Sequence, residues 1–189
     1  MARKVCATVF IFLAWSIYAS GLSSHPESSQ KKASRDQAEK AVRTSIYEMM
    51  RAFLTVDVKA LKQRSARRTL DLVNLVYEAA QEEPRLQEEL RNARVTNSDE
   101  FMRFFVQGMA NQYLQALPMA PEQAARKVAH DAVVSFTSDS EATIIVNNAE
   151  FARAKLVAKE WKIDLTDSLK KAVLNEVKNP TMRAKIKNL

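Results

Sequence analysis

The chain has 189 residues, 47% of them hydrophobic and 27% charged, with a formal net charge of +7. That length suits one domain, able to bury about two-thirds of the surface its unfolded chain would expose. Its two glycines, Gly21 and Gly108, exclude a phosphate-cradling loop or a dinucleotide fingerprint, which need several glycines for the backbone to approach a ligand, so no cofactor is expected.

Residues 1–21 read as a secretory signal. Arg3 and Lys4 form a basic start, and the apolar run from Val5 to Ala19 is broken only by Thr8 and Ser16. The run is short for a membrane span, and Ala19, Ser20 and Gly21 supply small residues for a cut after Gly21. Cleavage would lower the net charge to +5 and remove Cys6, leaving no thiol for disulfides, metal binding or nucleophilic attack. The expected destination is exported, periplasmic or secreted, with an uncleaved N-terminal membrane anchor as the alternative. Cys6 lacks the small-residue frame of a lipoprotein box.

Residues 22–37 are polar and Ser-rich, with too few apolar groups to offset ordering, and read as a disordered linker. Helical periodicity begins near Ala38. Val42, Ile46, Met49, Phe53 and Val56 fall on one face, and Leu70, Val73, Val76, Tyr77 and Ala80 mark a second helix that Pro84 closes. Leu86 and Leu90 mark a short third. A fourth opens on Ser98 as N-cap, with Asp99 and Glu100 in the favourable first turn, and carries Phe101, Phe104, Phe105, Met109, Tyr113 and Leu117 down to Pro118.

After Pro121 the period changes. Segments 127–136, 141–148, 150–158 and 160–165 are β-branched or alternating, separated by Asn, Asp and Ser of tight turns. Ala142, Ile144 and Val146 share one face, as do Ala152, Ala154, Leu156 and Ala158, and then Trp161, Ile163 and Leu165. Charged residues look the other way. The pattern predicts an antiparallel meander with one covered face, and helices followed by a meander make the fold class α+β.

DVKALKQRSARRTLDLV (57–73), SDEFMRFF (98–105) and AVVSFTSDSEATIIV with FARAKLVAKEWKIDL (within 132–165) resemble exported domains of the nuclear-transport-factor-two-like, or cystatin-like cone, fold. Asp57, Ala60, Leu61 and Lys62 match the step after its first helix, and Trp161 to Asp164 match the Trp-Lys-Ile-Asp of its last strand. The resemblance covers roughly 38–166. It implies N-terminal helices packed on a curved, cone-like sheet. The fold hosts isomerases, dehydratases, hydrolases, small-ligand carriers and assembly modules, so it assigns no activity by itself. Segment 67–121 is longer and more helical than in compact members, which opens the question of whether helices fill the cone.

Enzymes of the fold use an Asp or His base, often with a Tyr, so His130, Asp131, Tyr47, Tyr77 and Tyr113 are the candidates that the resemblance implies. His130 and Asp131 are adjacent on an expected strand, where their side chains would diverge. No catalytic set follows. Two histidines without a cysteine also leave no zinc set, and no metal is expected. The pocket-facing candidates are Phe104, Phe105, His130, Ile144, Leu156 and Trp161.

Residues 167–189 form a basic amphipathic helix or tail. Leu169, Ala172, Val173 and Val177 make one stripe, and Met182, Ile186 and Leu189 a smaller one after Pro180. It could rest on an anionic membrane surface or pack on the domain. The RSARR cluster at 64–68 reads as a helix surface, and positives not interleaved with aromatics argue against a nucleic-acid partner.

The leading expectation is an exported, non-enzymatic module that binds an apolar small molecule, a lipid or a protein. The alternatives are a small acid/base enzyme with a site inside the cone and a membrane-apposed interaction protein. Analogy with the fold adds a homodimer.

Overall fold

The computed structural model describes residues 29–116, 119–174 and 177–189, with side chains from Ser34 onward. The signal reading of 1–21, linker residues 22–28 and the stop at Pro118 lie outside the described residues. Among the described residues eight helices accompany one curved, open four-stranded antiparallel sheet, so the chain is α+β.

Helix α1 (Ser29–Leu54) starts well before Ala38, inside the segment expected to be a linker. Gln, Lys, Ala, Arg and Glu favour helix locally even where nothing is buried, and no Pro or Gly interrupts them. Its packed part behaves as the periodicity predicts: Val42 and Ile46 are 0% exposed and Met49 is 2%. It ends in a Schellman motif, with the Asp57 N–H bonded to the Ala52 carbonyl at 2.8 Å and that of Val56 to Phe53 at 3.2 Å. Val56 therefore takes φ 56°, a left-handed position where glycine is usual.

Helix α2 (Val58–Arg64) is capped by Asp57, whose side chain accepts from the Ala60 N–H. Helix α3 (Arg67–Glu82) follows, then α4 (Pro84–Asn92), with Pro at its first position, where no N–H is needed. The end of α4 is a second Schellman turn through Arg94, and its flanking residues Leu90 and Val95 both join a small core with Ala80 and Phe101. Helix α5 (Ser98–Ala116) is capped by Asn97 rather than Ser98: Asn97 Oδ1 accepts from the Asp99 and Glu100 N–H groups at 3.1 and 2.9 Å. Its inner face is Phe101, Met102, Val106, Met109 and Ala110.

Segment 127–136 corrects the sequence reading. Helix α6 (Pro121–Asp131) occupies its first half, and strand β1 (Val133–Ser138) begins only after it. PEQAARKVAHD opens on an N1 proline with Glu122 in the first turn, and Ala124, Ala125 and Ala129 are small enough to bring α6 close to α1. The Arg43 guanidinium from α1 donates to the carbonyls of Ala129, His130 and Ala132 at 2.8, 3.0 and 2.9 Å, filling the acceptors that α6 leaves open at its end.

Strands β2 (Glu141–Val146), β3 (Ala149–Val157) and β4 (Glu160–Asp164) complete the meander in the order β1-β2-β3-β4. Val134 pairs with Ile144, Ile144 with Ala152, Ala154 with Ile163 and Leu156 with Trp161. The inner face carries Ala142, Ile144, Ala152, Ala154 and Ile163, all nearly inaccessible, and α1 lies against it in the main core. Two of the three hairpin turns, Asn147–Asn148 and Ala158–Lys159, have both residues at positive φ, as two-residue turns of the right twist demand.

Helix α7 (Thr166–Val173) packs on β3, and α8 (Pro180–Asn188) packs on α3. Met182 is 2% exposed and Ile186 0%, so the small apolar stripe of the tail is part of the fold.

Candidate functional site

The site grows from the Trp-Lys-Ile-Asp strand. Trp161 and Ile163 turn inward, and the Trp161 ring meets Phe136 edge-on at 5.8 Å. Along the edge of β4, residue Ser65 forms a parallel bridge with Ile163, and the Ala66 N–H bonds to the Ile163 carbonyl at 2.8 Å. The link between α2 and α3 is thereby fixed to the last strand.

Asp164 then sits where three elements meet. Its Oδ1 accepts from the Thr166 N–H at 3.0 Å and from Thr69 Oγ1 at 3.3 Å, while Thr69 Oγ1 accepts the Leu165 N–H at 2.9 Å. Arg68 Nη1 and Lys155 Nζ stand 3.8 and 3.7 Å from Asp164 Oδ2. Burial pushes this carboxyl up, but the donors at Thr166 and the Arg68 and Lys155 charges together hold it below the usual carboxylate range. Arg68 also reaches Asp167 at 3.8 Å and donates from Nε to the Leu189 carbonyl at 2.8 Å.

Above this cluster runs a groove of about 710 Å³, walled by α3, the start of α5, the end of α2 and the outward side chains of β3 and β4. Leu70, Val73, Met102 and Val157 give it apolar surface. Five cations line it, Lys62, Arg67, Arg68, Lys155 and Lys162, against three acids, Asp71, Asp99 and Asp164, which leaves +2. Lys62 pairs with Asp99 at 2.8 Å, and Lys162 with Glu160 and the Gln63 carbonyl at 2.5 and 2.7 Å. A second cavity of about 390 Å³, with Arg153, Asp167 and Lys170 in its wall, shares Asp164 with the first.

None of the six pocket candidates lines this groove. Ile144 is 0% and Trp161 5% exposed, both in the core between sheet and α1. Phe104 and Leu156, each 40% exposed, lie at the surface, and Phe105 is half-buried beside Phe101, 6.2 Å between ring centroids. His130 is on helix α6, not a strand, and its side chain is 89% exposed. The expected divergence of His130 and Asp131 is overturned with it: Nδ1 lies 3.0 Å from Asp131 Oδ1, which the helical backbone permits. Lys127 donates to Asp131 at 2.7 Å, and that bond, then His130, holds the Asp131 carboxyl below its ordinary value.

The three tyrosines stand on separate helices. Tyr47 donates to Glu122, which raises the phenol and lowers the carboxyl. Tyr113 is raised by burial, and Tyr77 accepts from Gln81 at 2.6 Å. Among the described residues no group of His, Cys, Asp and Glu is placed to hold a metal, and no helix is long and apolar enough to cross a membrane.

The cations of the groove were visible in the sequence, Lys62 in the step after the first helix, Arg67 and Arg68 in RSARR, and Lys155 and Lys162 as outward residues of alternating strands. Their convergence was not, because it depends on the bridge between Ser65 and Ile163. The chain matches no family model, and no curated protein or solved structure matches it.

Proposed function

We propose that the chain is an exported, non-enzymatic binding module of the cone-like fold, and that it holds a small apolar molecule or lipid in the groove along β4 rather than inside the sheet's curve. The groove itself carries this reading. At about 710 Å³ it falls within the roughly 300–1,000 Å³ of small-ligand sites, and it combines apolar surface with a few convergent polar groups. The inner face of the sheet is already filled by α1, with Val42, Ile46, Ile144 and Ile163 all at 0% exposure. Asp164, the buried carboxylate of the groove, is engaged by Thr69, Thr166, Arg68 and Lys155 and held ionised, an arrangement suited to structure more than to proton transfer. Export rests on the N-terminal sequence, and membership of the fold on the quoted motifs together with the α+β meander.

The test is native mass spectrometry of the protein released by an exporting host, as the natural chain and as Val73→Trp, which fills the groove. A discrete adduct on the natural chain that the Trp variant lacks supports the reading. An empty natural chain, or an adduct that Val73→Trp leaves in place, overturns it.

A further inference from the structure

We infer that the ligand of the groove is a single-chain amphipathic carboxylate, its head held by Arg67, Arg68 and Lys155 and its chain laid along Leu70, Val73 and Met102. This deepens the binding reading above and rests on it.

The argument begins with charge placed against local preference. Arg67 and Arg68 are the first two residues of α3, whose first turn has no acid and whose N-cap, Ala66, gives no side-chain bond. The N-terminal end of a helix carries partial positive charge, so two cations there are locally unfavourable. Such local conflicts concentrate where a molecule does something other than fold. Asp164 and Asp167 engage Arg68 only at 3.8 Å, beyond hydrogen-bond length, and Arg67 is 94% exposed with Asp71 4.0 Å away. Lys155, from the distant third strand, reaches the same place with partners at 3.6 and 3.7 Å. Three cations thus line one groove: Arg68 commits its Nε to Leu189 at 2.8 Å, while its Nη atoms stand 3.8 Å from their acids, Arg67 4.0 Å and Lys155 3.6 and 3.7 Å.

Leu70 follows the arginines within about one turn of the same helix and Val73 by about one and a half turns, and Met102 on α5 lines the same groove. A ligand lying there meets cations first and apolar surface next, the polarity of a fatty-acid-like molecule. The lining's net +2 complements an anionic head, and the volume suits one chain.

The experiment is calorimetric titration of the full chain with dodecanoate, dodecanol and dodecyl phosphate, repeated on Arg67→Gln and on the double variant Arg67→Gln, Lys155→Gln. Circular dichroism melts check folding, and Arg67, being exposed, gives a single variant that keeps the fold. Dodecanoate is expected to bind about tenfold or more tightly than dodecanol, and the double variant to lose about tenfold for dodecanoate but nothing for dodecanol, the size of a charge-assisted bond. Equal binding of dodecanoate and dodecanol, untouched by the variants, overturns the carboxylate and leaves the apolar groove standing. Tighter binding of dodecyl phosphate replaces the carboxylate with a phosphate head. Failure of all three probes to bind overturns this inference, while the adduct measurement separately decides the binding reading.

Discussion

The Thr69 hydroxyl donates to Asp164 and accepts the Leu165 N–H, so one side chain of α3 joins both ends of the β4–α7 corner. Thr69→Val keeps the shape and removes both bonds, leaving the Leu165 N–H without this partner at a cost of about 1–3 kcal/mol. Urea denaturation should show a lower midpoint at unchanged slope, and an unmoved midpoint would deny Thr69 this role. Lys159 makes the opposite case. It sits at φ 70° in a two-residue turn that prefers glycine, a position costing about 1–2 kcal/mol for other residues. Lys159→Gly should raise the melting temperature by a few degrees, roughly 2–4 °C per kcal/mol in a domain of this size. The alternation of Ala142, Ile144 and Val146, or of Trp161 and Ile163, made the inner face legible because period two is local. The αL turns were less so: Asn147–Asn148 announces its turn, whereas Ala158–Lys159 carries no composition cue and is imposed by the strands on either side.

At the scale of elements, α6 shows how a boundary is lost. Val128, Ala132 and Val134 suggest alternation, but Ala124, Ala125 and Ala129 lie on the face against α1, and Arg43 closes the helix through carbonyls no pattern of side chains reveals. The last helix teaches the converse. Met182 and Ile186 were legible as a stripe, yet a stripe fits a bilayer and a protein surface alike, and the partner α3 lies far away in sequence. Each of Met182→Ala and Ile186→Ala should cost about 2–5 kcal/mol in global unfolding, the range for buried aliphatic truncation. If differential scanning calorimetry finds either variant as stable as the parent, α8 is not docked as described.

Across the whole molecule, several carboxylates are held ionised by the fold. Asp164, buried among Thr166, Arg68 and Lys155, is lowered, and so are Asp131 beside Lys127, Glu122 beside Tyr47 and Glu100 beneath the Thr96 N–H. A carboxyl lowered on folding stabilises at pH above its unfolded value, and that contribution disappears as pH falls through the folded value. Stability against urea should therefore be flat above the ordinary carboxylate range, about pH 4, and decline below it. Asp164→Asn should flatten part of that decline, and a decline identical in variant and parent would place the acid lability elsewhere.

The bridge between Ser65 and Ile163 has a consequence for association. It lays chain along the open side of β4, and Lys162 adds a bond to the Gln63 carbonyl there, so that rim of the sheet is occupied from within. The far rim is β1, VVSFTS, which pairs with β2 and carries no charged residue to repel an incoming strand. Extension of this sheet by another strand is therefore directional: an added strand, whether from a swapped copy or in a fibril, enters beside β1 and not beside β4.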